Sequence, residues 1–193
     1  SALHKARALA IRQTGIQQAA IGWRLLRGAG DRCLAGVRGR RIVGIGASAG
    51  GLEAFEEFFR HMPVDSGIAF VLVPHLDPSH GSLLTEILQR STTMEVVEAK
   101  DQVKVCPNCI YVIPPNHNME IYQGKLQLSV LTVPRGQRLP IDGFLRSLAD
   151  DRQENAVGII LSGTGTDGTL GLRAILGMGG LTLVQVPSTA KYD

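Results

Sequence analysis

No stretch of this chain is long and apolar enough to cross a bilayer. Its wholly apolar runs, such as residues 68–73 and 159–161, fall far short of the roughly 18 residues a spanning helix needs, so no membrane insertion is expected. Cysteine is also scarce. Three residues, an odd number, cannot close into a disulfide framework, and without a secretory signal they fit a reducing compartment, so a cytoplasmic location is expected. Acidic residues are nearly missing from the first 41 positions, where nine Lys or Arg face Asp31 alone. From residue 42 onward the balance reverses, with 11 basic and 16 acidic residues. The net charge of +3 therefore describes two unlike parts. A basic surface that would attract nucleic acid or anionic membranes exists only in the leader, and no nucleic-acid partner is expected for the body.

What is present is a globular composition, 44% hydrophobic and 19% charged over 193 residues, enough for one domain with an appendage. Residues 1–40 read as a basic leader or linker. Glycines at 15, 22, 28, 30, 36 and 39 interrupt the helices that residues 6–12 and 17–26 would otherwise form. A targeting peptide and a basic arm are the competing readings.

Residues 41–193 alternate strand and helix signals. Residues 41–46 are a short buried strand, followed by a glycine-rich turn and an amphipathic helix carrying Leu52, Phe55, Phe58, Phe59 and Met62 on one side. Residues 68–73 are a second buried strand, residues 82–89 a helix and residues 95–97 a strand. Short strands over 103–105, 110–113, 119–122 and 126–131 follow, with Gln123-Gly124 suited to a tight hairpin. Pro140 opens a helix to residue 150. A buried strand over 157–161, a second glycine-rich turn, a helix over 170–178 and a strand over 181–186 complete the pattern. Buried strands alternating with helices predict an α/β fold: a doubly wound, mainly parallel sheet in three αβα layers, Rossmann-like, with a β-hairpin insertion.

In such sheets the reacting groups gather beyond the carboxyl ends of the strands. Three of those loops carry Ser48, His75 and Asp167. A serine hydroxyl is a weak nucleophile at neutral pH and needs a base; an imidazole base needs a carboxylate to fix its tautomer and stabilise its charged form. Ser48 is flanked by small residues at a strand-to-helix turn, where free N–H groups favour developing negative charge. Each residue alone has an ordinary use, as a helix cap, a loop histidine or a turn aspartate. Their joint occurrence at three strand ends favours a catalytic triad.

Other motifs compete. Gly44, Gly46 and Gly50 match a GxGxxxG dinucleotide turn, but the second strand ends in Val73-Pro74-His75 rather than in the acidic residue that would hold a ribose. Cys106-Pro107-Asn108-Cys109 has the spacing of half a zinc site; no second pair completes it, and Pro-Asn between strands is turn chemistry. No metal and no cofactor is expected. His117, after Pro114-Pro115-Asn116, is either a substrate-side contact or a solvated loop histidine.

The segments GIGASAGG (44–51), PHLDPSH (74–80), YVIPPNH (111–117), LPIDGFLRSLA (139–149) and LSGTGTDGTLGL (161–172), in this order, resemble the catalytic domain of the chemotaxis protein-glutamate methylesterases. More closely, they resemble the module found in methylesterase–methyltransferase fusion proteins. The resemblance implies hydrolysis of γ-glutamyl methyl esters on the cytoplasmic helices of chemoreceptors, with glutamine deamidation in some members and a methyltransferase module in the same parent chain. It places nucleophile, base and aspartate on Ser48, His75 and Asp167. It makes Ala49, Gly50, Thr164 and Gly165 the candidates for oxyanion or substrate contacts, with Ala49 standing where the family often has Thr and Thr164 where it often has Met. The family's receiver domain is not matched, and its sequence continues past the position of Asp193 into a Gly-Met-Pro segment and a last helix, so a domain cut short at that end is expected. A catalytically silent receptor-binding module, or less favourably a dinucleotide-binding oxidoreductase, is the alternative.

Overall fold

The computed structural model describes residues 8–11, 41–75, 81–131, 139–163 and 165–186. Six strands between residues 42 and 185 form a parallel sheet: β2 (Ile42–Ala47), β3 (Ala69–Pro74), β4 (Glu95–Glu98), β5 (Cys109–Val112), β8 (Ala156–Ile160) and β9 (Leu181–Gln185). A short strand from the leader, β1 (Ala8–Ile11), pairs in parallel with β9 at one edge, where a helix signal stood in the sequence. The order across the sheet is β1-β9-β8-β2-β3-β5-β4. An antiparallel hairpin of β6 (His117–Tyr122) and β7 (Lys125–Val130) stands apart as a second, two-stranded sheet. The remainder of the leader, including the helix signal over 17–26, lies outside the described residues.

Two-residue alternation sends the strands' side chains to two cores. Val43, Ile45, Phe70 and Leu72 face α1 (Gly51–Arg60) and α2 (Gly81–Ser91), meeting Phe55, Phe59, Leu84 and Leu88. Phe58, Phe59 and Phe70 pack edge to face there, with ring centroids 5.1 to 6.0 Å apart. On the opposite face Ile42, Val71 and Val73 lie with Phe144, Leu145 and Leu148 of α3 (Pro140–Arg152) and Ile175 of α4 (Thr169–Gly177). The doubly wound three-layer architecture is as expected.

Two details depart from the sequence reading. Residues 109–112 belong to the main sheet, between β3 and β4, rather than to the hairpin region; Ile110, Tyr111 and Val112 are all buried, as a parallel strand covered on both faces requires. Residues 103–105 form no strand, and only Lys104 bridges to Lys125.

Gly44 and Gly46 acquire a packing role. A Cβ at Gly44 would come within 2.7 Å of Leu145, and one at Gly46 would overlap Ile141. The missing side chains let α3 lie directly on β2, which accounts for the dinucleotide-like spacing without a dinucleotide.

Candidate active site

The chain winds from β2 toward β3 on one side and returns to β8 on the other, so the crevice beyond β2 and β8 is the switch point of the sheet. Backbone bonds hold the strand ends level. Leu161 N–H donates to Gly46 O at 2.9 Å, His75 N–H to Ala47 O at 2.8 Å and Ser48 N–H to Ser162 O at 2.9 Å. A cavity of about 160 Å³ opens there, lined by Ser48, His75 and Asp167 together with Leu139, Gly165 and other residues of the same loops. That volume suits a side-chain end far better than a dinucleotide.

His75 and Asp167 are joined directly, Nε2 to Oδ2 at 2.6 Å, across 92 residues of sequence. The His75 side chain is one-third exposed and the Asp167 side chain only 5%. The Asp167 carboxylate also accepts two backbone N–H groups from the start of α3, Ile141 at 3.1 Å on Oδ2 and Asp142 at 2.8 Å on Oδ1. Three hydrogen bonds and the positive end of a helix thus converge on one carboxylate, an arrangement that holds it fixed beside the imidazole.

Ser48 follows β2 in a tight turn in which Gly51 N–H donates to Ser48 O at 2.9 Å. Gly50 takes a left-handed conformation, φ 73°, at the cap of α1, the conformation that glycine adopts without penalty. Because Ser48 O is turned toward Gly51, the Ala49 N–H of the same peptide points the other way. Among the described residues neither Ala49 N–H nor Gly50 N–H has an acceptor. Ser48 and His75 share the cavity but no hydrogen bond, and such contacts commonly tighten only on a bound substrate.

The CheB methylesterase family model matches residues 43–193. The chain belongs to this family. Over 149 residues it is 38% identical to protein-glutamate methylesterase/protein-glutamine glutaminase 2 of Xanthomonas oryzae pv. oryzae, covering 75% of this chain and 41% of that one. A putative protein-glutamate methylesterase/protein-glutamine glutaminase of Leptospira interrogans is 30% identical over 148 residues, 76% of this chain and 77% of its own. Among solved structures, the Thermotoga maritima CheB methylesterase catalytic domain superposes with a TM-score of 0.72 at 25% identity, covering 79% of this chain and 83% of that one. The chain spans less than half the length of the Xanthomonas relative.

Within this family fold the other sequence candidates are dispersed. Gly165 lines the cavity; Ala49 and Gly50 lie in the turn behind Ser48. Thr164 lies outside the described residues, as do residues 76–80 of the loop after His75. His117 is not among the cavity's lining residues, and its Nδ1 bonds Pro115 O at 2.7 Å. The cysteine segment is a clamped turn: Asn108 has φ 62°, donates its N–H to Ile68 O at 2.7 Å and accepts Gly67 N–H on Oδ1 at 2.7 Å. Cys106 donates to Lys104 O at 3.6 Å, and Cys109 to Glu95 at 3.7 Å. Burial first, and the Glu95 carboxylate second, push the Cys109 thiol up.

Sequence reading passed over Ser162 and Gln185. The Ser162 hydroxyl donates to Ala49 O at 2.9 Å, and the Gln185 side chain accepts Ser162 N–H at 2.7 Å, tying the Ser48 turn to the ends of β8 and β9. Their only signal is polarity at the end of a buried strand, where an unpaired group is costly.

Proposed function

We propose that the chain is a serine esterase that hydrolyses γ-glutamyl methyl esters on the cytoplasmic helices of chemoreceptors. The observation that carries the proposal is the His75–Asp167 contact in the cavity that Ser48 also lines. The Asp167 carboxylate accepts the Nε2 proton of His75, which leaves the Nδ1 lone pair as the base. Ser48 Oγ attacks the ester carbonyl as its proton passes to Nδ1. The oxyanion is met by backbone donors, of which Ala49 N–H and Gly50 N–H have no other acceptor among the described residues. The tetrahedral intermediate collapses, the imidazolium gives its proton to the departing methoxide, and methanol leaves an acyl-serine. Water then attacks with His75 again as base, restoring the serine and releasing a glutamate carboxylate.

The same steps on a glutamine side chain would release ammonia, in keeping with the glutaminase half of the relatives' names. Gly165 and Thr164 are proposed as substrate-side contacts, with a methyltransferase module in the parent chain. No described helix is long and apolar enough to cross a membrane.

The test is methanol release from methylated receptor, compared between the parent protein and Ser48→Ala. Equal rates would defeat the esterase assignment. Receptor binding with no turnover in either would instead favour the silent module.

A further inference from the structure

Two helices meet the cavity with their amino ends, and neither is capped by its own residue. Leu139 at the start of α3 and Gly168 at the start of α4 offer no side-chain hydrogen bond. Each helix is capped across space by an aspartate from beside the other. Asp167, just before α4, accepts the Ile141 and Asp142 N–H groups of α3. Asp142, in the first turn of α3, accepts Gly168 N–H at 2.9 Å and Gly171 N–H at 2.7 Å, both on Oδ1. Asp142 is 5% exposed and does not line the cavity.

A buried carboxylate is costly unless it is fully used, and Asp142 takes no part in the esterase steps. Its use lies in where its bonds fall. Gly168 is the residue after Asp167, with φ 101°, and a Cβ there would come within 2.5 Å of Ile160 and 3.0 Å of Ile141. The peptide following Asp167 thus enters a turn that only glycine fits, and Asp142 accepts its N–H. Gly171 allows the approach: a Cβ there would come within 2.5 Å of Leu145 Cβ and 3.3 Å of Asp142 Cα.

We propose that Asp142 is a positioning residue for the triad. It locks the turn that aims the Asp167 carboxylate at His75 Nε2, and the two aspartates form a reciprocal clamp. Local capping would stabilise each helix equally well, but only a cross-cap couples the aim of Asp167 to the seating of α3 on α4. The proposal rests on the triad reading of Ser48, His75 and Asp167. It takes no substrate contact for Asp142 itself.

The test uses the full chain with Asp142→Ala, Asp142→Asn and Asp142→Glu, the first also in an Asp167→Asn background. Readouts are kcat and KM for methyl-ester hydrolysis, melting temperature, and the downfield proton resonance of the His75 ring N–H bonded to Asp167, identified by its loss in His75→Gln. In Asp142→Ala, kcat is expected to fall on the order of 10²-fold with KM unchanged and the downfield resonance lost, the size of effect a misplaced group produces. Asp142→Asn, whose side-chain oxygen still accepts both N–H groups, should retain both. In the Asp167→Asn background, Asp142→Ala should cost little further kcat, because residues acting through one another are non-additive.

Should Asp142→Ala not fold, Asp142→Glu carries the test. It keeps charge and acceptors but displaces the turn by a methylene, and should lower kcat and weaken the resonance. A variant that melts earlier yet keeps kcat and the resonance overturns the proposal, as does an additive loss in the double variant. The resonance reads the His75–Asp167 contact without turnover. If Ser48→Ala remains active, the esterase reading falls while the clamp is still decided by the resonance.

Discussion

The Ser162 hydroxyl donates a hydrogen bond to the Ala49 carbonyl at 2.9 Å, across 113 residues of sequence, while the Ser162 carbonyl accepts the Ser48 N–H at 2.9 Å. One residue at the end of β8 therefore grips the Ser48 turn at two points. Ser162→Ala removes one grip and leaves the backbone one. A lost neutral hydrogen bond is worth about 1 kcal/mol, so kcat for ester hydrolysis should fall by roughly fivefold if that energy is spent on alignment, with a modest decrease in melting temperature. An unchanged kcat beside a lowered melting temperature would assign Ser162 to stability alone.

Gly163 makes the next contact. A Cβ at this position would overlap the Ser48 side chain and come within 2.9 Å of its backbone nitrogen. Gly163→Ala should therefore displace Ser48 and reduce kcat on the order of 10²-fold, well beyond any effect on substrate binding. Steady-state kinetics with a methylated receptor fragment separates the two, and a loss confined to KM would contradict the geometry.

Ser48, His75 and Asp167 should behave as a unit. Ser48→Ala is expected to abolish nearly all turnover, and adding His75→Ala should cost little more. Asp167→Asn should reduce kcat less than loss of the serine does, by on the order of 10²-fold or more, because an amide can present a donor where the imidazole N–H needs an acceptor. Asp167→Ala should in addition destabilise the fold, since it leaves the Ile141 and Asp142 N–H groups without their acceptor. Thermal melts of the two variants, side by side, check that distinction.

Burial pushes the Tyr111 phenol up to about 12. Its hydroxyl accepts the Cys106 N–H at 3.0 Å and donates to Lys104 O at 3.4 Å, tying β5 to the cysteine turn. In the unfolded chain the phenol ionises near 10. Between these values the unfolded state binds fewer protons than the folded one, so stability should fall as pH rises from about 10 to about 12. Denaturant melts across that interval should show the decline, and Tyr111→Phe should remove this component.

The Cys109 thiol, pushed up by burial and by Glu95, should be slow to alkylate near neutral pH, because the thiolate is the reactive form. Replacing Glu95 by Gln should accelerate iodoacetamide labelling of Cys109. Cys106→Ser with Cys109→Ser should leave esterase activity unaltered, since both residues serve a turn at the amino end of β5, away from the cavity-lining residues.

The alternation of buried strands with amphipathic helices, the glycine-rich turns after β2 and β8 and the placement of Ser48, His75 and Asp167 in loops at strand ends were legible in the sequence because each is local. A strand's apolar run, a helix's period and a reactive residue beside small neighbours all declare themselves within a few positions. The placement of β5 between β3 and β4 was not legible, since a four-residue apolar run has the same appearance in a hairpin and in a parallel sheet. Nor were the uses of Gly44 and Gly46, which depend on α3 arriving nearly a hundred residues later to fill the space above β2. Asp142 gave no sign of its partners, Gly168 and Gly171, 26 and 29 residues away. Local pattern thus determined the strand-end residues that are the candidates to react. Only the packing of α3 and α4 on the sheet decided how Asp167 is held beside His75, because a cap supplied across space leaves no periodic trace in the chain.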